Sequence, residues 1–359
     1  MTQREQQILK LLEEDPMISQ QQIADNLGIT RSSAAVHISN LTKKGYIAGK
    51  GYVLRSGSYA VVVGGVNVDI CGRSFQPLVP ADSNPGAVTT SMGGVGRNIA
   101  HNMAKLGVEV RLLTAYGDDL NGDRVVSSCA QLGIDLKYAL RVPGATTSTY
   151  LYLTDPEGEM ALAVSDMAIC DQITPEYLDA NLQILNNAQA VVADCNIPGE
   201  SLKFLAEKCT APLFVDPVST TKSKKLMPIL DRIHTLKPNH LEAELLTGIS
   251  IRDKADVEKA AEKLLEMGVR RVFLTRGAEG VYAATQEGCL WHPILPGQMV
   301  NTTGCGDSFM GALVWAWMEG TDLETTARAG LAASAITMES TQTINPIMSE
   351  EILRQRMTL

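Results

Sequence analysis

The sequence predicts an α/β protein: a main domain with a mostly parallel central sheet covered by helices on both faces, preceded by a small helical unit. Three observations predict it. Six short β-branched runs, Tyr59 to Val63, Val110 to Thr114, Ala190 to Ala193, Pro212 to Val215, Ile233 to Leu236 and Arg271 to Thr275, alternate with helical stretches long enough for crossovers. The length of 359 residues suggests two domains. Charge also changes along the chain: residues 1–57 hold seven Lys and Arg against five Asp and Glu, net +2, so of the overall −9 the remaining 302 residues carry −11. The expected division is therefore 1–57 and 58–359.

Residues 1–57 read as three short helices. Ile8, Leu9, Leu11 and Leu12 recur at helical spacing until Glu14-Asp15-Pro16. Ser19 and Gln22 form a capping-box pair ahead of Ile23, Ala24 and Leu27, and Gly28 ends that helix. Thr30 caps a third helix with Ala34, Ile38 and Leu41 inward, Arg31, Ser32, Ser33, His37 and Asn40 outward, and Lys43-Lys44 at its end. Gly45 to Leu54 then reads as a two-stranded wing. This order resembles the winged helix-turn-helix modules of bacterial transcription regulators. The resemblance implies double-stranded DNA as a partner, with Arg31, Ser32, Ser33 and His37 at base edges and the lysines at phosphates. The same residues also read as the solvated face of an appendage that only packs or dimerises.

Composition is that of a globular chain, 45% hydrophobic and 20% charged with a mean hydropathy of +0.01. No uninterrupted apolar stretch approaches the roughly 18 residues of a membrane span, which excludes a membrane protein. Arg4, Glu5 and Lys10 precede any apolar run, unlike a secretory signal, so a cytoplasmic location is expected. Seven cysteines stand singly, against a disulfide framework or a structural zinc site. The phosphate loop G-x-x-x-x-G-K-[ST], the protein-kinase H-R-D and D-F-G sets, G-x-S-x-G and H-E-x-x-H are all missing from the sequence. In the main domain, Thr149 to Leu153 and Met160 to Ala163 flank Asp155-Pro156-Glu157-Gly158, a hairpin signal. That hairpin, within 146–164, is expected to form a small sheet outside the main layer with residues of 72–90.

Two glycine-rich turns carry the chemistry. In Asn301-Thr302-Thr303-Gly304-Cys305-Gly306-Asp307-Ser308-Phe309, small residues open an apolar helix, so the amides of 304–307 converge on an anion site. A carboxylate there would repel a bound phosphate, and accepting a proton from an attacking hydroxyl gives it a reason to be there. The second turn, Ser91-Met92-Gly93-Gly94-Val95-Gly96-Arg97-Asn98, opens a helix with Asn98 able to face a ligand.

Together GGVGRNIA and TTGCGDSF resemble the two signatures of the ribokinase-like (PfkB) carbohydrate kinases, over about residues 58 to 345. Further parts fall in the same order: Gly65-Val66-Asn67-Val68-Asp69 at the end of the first strand, Lys237-Pro238-Asn239-His240-Leu241-Glu242, and Thr275-Arg276-Gly277-Ala278-Glu279-Gly280. Segments outside these signatures, among them Ala81 to Gly86, Asp166-Met167, Val192 to Asn196 and Phe214 to Ser219, are similar to those of family members that phosphorylate pseudouridine.

The resemblance implies a three-layer α/β sandwich with a small β lid, and transfer of the ATP γ-phosphoryl to a nucleoside 5′-hydroxyl. It implies Asp307 as base, with Gly304, Cys305 and Gly306 lending amides; Asn67, Asp69, Gly93, Gly94, Asn98 and Asp166 toward the substrate; and Asn239, Thr275, Gly277, Gly280 and Asn345 toward ATP. Glu242, with Asn239, would arrange waters around Mg²⁺. The family's Asp at the head of the second signature is Asn301 here, so a monovalent-cation site would lack that charge. Tyr150 and Tyr152 would exclude water, and Cys305 at a helix N-terminus would have a lowered thiol pKa. A homodimer is expected. Taken singly, Glu242 also reads as a helix-face carboxylate, Asn67 and Asp69 as turn formers, and Asn98 as a cap. Two alternatives stay open: a kinase for another nucleoside or a free sugar, and a substrate-responsive transcription regulator using the kinase fold as sensor.

Overall fold

Thr2, Ser19 and Thr30 each have extended backbone and accept a hydrogen bond from the amide three residues on. The N-terminal helices Gln3–Glu14, Gln20–Leu27 and Arg31–Lys43 therefore start where these caps stand. Gly28, at φ 61°, takes the left-handed conformation that ends the second. Ile8, Leu12, Ile23, Ala34, Ile38 and Leu41 form one core, and buried Glu5 receives the Lys44 ammonium at 2.8 Å. Arg31 and Ser32 are exposed, whereas Ser33 and His37 are half-buried. The computed structural model describes residues 1–16, 18–47 and 58–359, so of the expected wing at 45–54 all but residues 45–47 lies outside the described residues. The chain divides into two compact units, 1–57 and 58–359.

In the second unit the strands are β1 (Tyr59–Val63), β2 (Asn67–Ser74), β3 (Gly86–Gly93), β4 (Glu109–Leu113), β5 (Ala115–Gly117), β6 (Leu140–Val142) and β7 (Thr149–Thr154). They continue as β8 (Met160–Asp166), β9 (Ala190–Asp194), β10 (Leu213–Asp216), β11 (Thr235–Leu236), β12 (Arg271–Thr275), β13 (Val281–Thr285) and β14 (Cys289–His292). The main sheet runs β14-β13-β12-β11-β10-β9-β1-β4, parallel from β4 to β12 and antiparallel across β12-β13-β14. Strands covered on both faces read as continuous apolar runs, and β1 shows the consequence. Tyr59, Val61 and Val63 enter a core with the helices Gly199–Lys208 and Lys254–Glu266; Ala60 and Val62 enter the opposite core with Val95–Lys105, Cys305–Met318 and Leu323–Met338.

A second sheet, β3-β2-β7-β8, combines the expected hairpin with the 67–93 segment. One expectation needs correction. The first strand stops at Val63, and Asn67 to Asp69 open β2 of this second sheet rather than ending β1. Gly64 and Gly65 stand between the two strands, and only glycine fits at 64, where a Cβ would stand 2.3 Å from Oδ2 of Asp194.

Phe214 anchors one core from the middle of the parallel sheet, fully buried and 6.2 Å from the Trp317 ring. Phe214→Ala is expected to remove about 3–5 kcal/mol of stability, read as a lowered midpoint in denaturant unfolding.

Candidate active site

Ligands of open parallel sheets bind beyond the carboxyl ends of the strands, and here those ends carry unusual charge. β9 and β10 are buried and apolar until their last residues, Asp194 and Asp216. β11 is followed by Lys237, whose Nζ lies 3.2 Å from Oδ2 of Asp216, both side chains almost wholly buried. Glu242 belongs to the same group through a capping box: its Oε2 accepts the Asn239 amide at 2.9 Å and the Asn239 side chain accepts the Glu242 amide.

The helix Cys305–Met318 points its N-terminus at this cluster. Gly304 caps it at φ 86°, where an added Cβ would stand 2.1 Å from the Thr343 carbonyl oxygen. Only glycine fits, and the amides of the first turn stay free of side-chain caps. Asp307 sits in that first turn and its Oδ2 accepts Nδ2 of Asn98 at 2.9 Å. A helix N-terminus favours the carboxylate, yet burial, reinforced by the Asp216 charge, pushes the Asp307 pKa up to about 7 against the pull of Asn98 and Lys237. Burial likewise raises Asp194 to about 6, although the amides of Gly65 and Asn196 hold its charged form at 2.9 and 2.7 Å. Glu242 is raised by burial too. For Lys237, burial opposes the charge, but Asp216, Glu242 and Asp307 outweigh it and the pKa moves up.

Above the cluster, β2 and β3 present the second carboxylate of interest. Nδ2 of Asn67 donates to Oδ1 of Asp69 at 2.6 Å. Gly93 faces them across the strand pair, where a Cβ would come within 2.3 Å of Oδ2 of Asp69. Gly94, at φ 98°, lets the turn pack on the Gly65 carbonyl and the Val66 Cα. Register places Tyr150 beside Asp69, and Tyr152 two residues on shares that face, the two rings 5.6 Å apart. Burial raises the Asp69 pKa.

Beside the helix N-terminus lies an apolar slot of 370 Å³ lined by Thr275, Gly277, Gly280, Leu295, Cys305, Gly306, Phe309 and Met338 among others. It brings Thr275, Gly277 and Gly280 together with Cys305 and Gly306 of the nest.

Several expectations are corrected. Asp166 pairs with Thr149, which pairs with Val68, so strand alternation puts its side chain on the face opposite Asp69, exposed. Asn345 does not line the slot: it is buried, its Nδ2 donates to the Ile336 carbonyl and its Oδ1 accepts the Ile347 amide. Burial raises the Cys305 thiol to about 11 rather than lowering it, and its Sγ donates to the Ser334 carbonyl. Oδ1 of Asn301 accepts the Thr303 amide at 3.0 Å in a local turn. Among the described residues no group of three or more His, Cys, Asp or Glu is arranged to hold a metal ion directly. Lys237, Asp194 and Asp216 were given no role from sequence, although an acid closing an apolar parallel strand is the signal that marks the last two.

The comparisons agree with this geometry. Residues 58–350 match the model of the pfkB family carbohydrate kinases, and residues 1–48 match a winged helix-turn-helix DNA-binding model. The chain belongs to the pfkB family of carbohydrate kinases and is a phosphotransferase with an alcohol acceptor, a sugar or nucleoside kinase. It is 39% identical to the uncharacterized sugar kinase YeiI of Escherichia coli over 98% of each chain, and 40% identical to the pseudouridine kinase of Escherichia coli over 82% of this chain and 95% of that one. The ribokinase of Thermotoga maritima superposes with a TM-score of 0.76 at 26% identity, covering 84% of this chain and all of that one. Among the described residues no helix is long and apolar enough to cross a membrane.

The raised Asp307 pKa makes the ionised group a liability to the fold. Because the native pKa exceeds the unfolded one, the penalty is absent below about pH 4, grows from there to about pH 7 and is constant above. Asp307→Asn is therefore expected to raise the denaturation midpoint at pH 8 and leave it unchanged near pH 4, measured by denaturant titration at both.

Proposed function

We propose that residues 58–359 transfer the γ-phosphoryl group of ATP to the 5′-hydroxyl of a nucleoside, with pseudouridine the preferred acceptor. The observation that carries this reading is Asp307 itself: its carboxylate, oriented by Asn98, stands in the first turn of a helix whose N-terminal amides carry no side-chain cap, where burial pushes its pKa up to about 7. A base poised near the working pH can take a hydroxyl proton and still be ionised often enough to act. The amides of Gly304 to Asp307 would hold charge on the moving phosphoryl, and the apolar slot would take the adenine. Asp69, steadied by Asn67 and given room by Gly93, would accept from ribose hydroxyls. The Tyr150 and Tyr152 face would shield the site from water.

Mg²⁺ fits the residues present. Glu242 leaves Oε1 outside its capping bond and stands with Asn239 near the nest, the sparse carboxylate supply that suits an ion keeping most of its waters. Glu242 and Asn239 would hold it through water, and the ion would neutralise phosphate charge. The preference for pseudouridine draws on the similarity to the Escherichia coli pseudouridine kinase.

Two partners complete the reading. Val88, Leu151, Leu153, Leu162 and Val164 stand exposed and apolar on one face of the lid sheet, which suits a homodimer. Arg31, Ser32, Ser33 and His37 would contact double-stranded DNA, a role supported by the winged helix-turn-helix match; it is tested by salt-dependent binding of the full chain, which Arg31→Ala should weaken.

The deciding experiment is ADP release across a panel of nucleosides and free sugars. Pseudouridine should be turned over ahead of uridine, and kcat/KM should fall as pH drops below about 7 and level off above it. Asp307→Ala should lose at least ~10²-fold in kcat. Equal turnover by that variant, or turnover of free sugars alone, would overturn the assignment.

A further inference from the structure

The geometry points to Lys237 as a catalytic residue that touches the transferring phosphoryl group, with Asp216 as the residue that positions it; the inference rests on the kinase reading above. The Lys237 side chain is 7% exposed and its Nζ is 3.2 Å from Oδ2 of Asp216. A Cβ built on Gly306 would lie 3.3 Å from the same nitrogen. The ammonium therefore stands against the amide nest, and the missing side chain at 306 keeps the path between them open. Three carboxylates, Asp194, Asp216 and Asp307, share this small volume, each close enough to influence the next. An anion arriving among them needs a cation.

A buried ion pair is a weak device for stability, because desolvating both charges offsets most of their attraction. Lysine in particular is a compact charge on a flexible stem, able to turn from one acceptor to another by a small rotation. In the reaction, the acceptor hydroxyl oxygen bonds to the γ-phosphorus while the bond from phosphorus to the β,γ-bridging oxygen breaks. The electron pair of that bond leaves on ADP, and the hydroxyl proton passes to Asp307. Charge spreads over the three equatorial oxygens in between. Lys237 supplies a formal positive charge at that point, where the amides supply only partial ones. Asp216 holds the ammonium in place before the nucleotide arrives.

The test uses the full-length chain with ATP and whichever acceptor the wild type turns over. A wild type that phosphorylates nothing in the panel overturns the kinase reading itself and this inference with it. With an active wild type, Lys237→Met should lower kcat by about 10²–10³-fold while KM for ATP and acceptor moves by less than about threefold. A kcat within about threefold of wild type overturns the role. The double variant Asp216→Asn with Lys237→Met removes both buried charges and guards against misfolding of the single variant. If the pair served only the fold, the double variant would regain wild-type kcat together with its thermal midpoint. The expected result is a midpoint restored toward wild type and a kcat still as low as that of Lys237→Met, and regained kcat overturns the proposal.

Discussion

Like charges crowded at the ends of parallel strands govern this molecule. Asp194 and Asp216 close β9 and β10, Asp307 leans toward them from a helix N-terminus, and Lys237 answers one of the three. Such an arrangement is unstable unless the surrounding backbone enforces it. The enforcement is visible in glycine: Gly64 and Gly96 let the Val95–Lys105 helix close on β1 and on Asp194, and Gly304 lets the last signature turn against Thr343. A Cβ at Gly64 or Gly96 would run into the Asp194 carboxylate, and one at Gly304 into the Thr343 carbonyl.

The same crowding divides labour among chemically identical groups. Asp194 is tied by two backbone amides and serves to fasten the Gly64–Gly65 turn. Asp216 is committed to Lys237 and to the Val218 amide. Asp307, with one amide partner from Asn98, is the carboxylate left with capacity for a new proton. Number and kind of hydrogen bonds, not residue type, set the three carboxylates apart.

Most of the architecture was legible in the sequence because its signals are local. The six apolar runs became β1, β4, β9, β10, β11 and β12, since strands covered on both faces need unbroken hydrophobicity. The lid hairpin and the three N-terminal caps were equally local. What escaped depended on partners distant in sequence. Asp166 fell on the far face because strand alternation is fixed by pairing with Thr149, which its own segment does not reveal. Asn345 looked free until Ile336 and Ile347 claimed both ends of its amide. Lys237 went unassigned because its meaning comes from Asp216 and Gly306, each remote in the chain.

The lid sheet is joined at its centre by a parallel pair, β2 with β7, whose partners such as Val68 and Thr149 are separated by β3, β4, β5, β6 and two helices. Closing a loop of that length costs chain entropy that only the completed sheet offsets. The face that carries Asp69, Tyr150 and Tyr152 therefore belongs to neither segment alone and exists only once two stretches remote in the chain have paired.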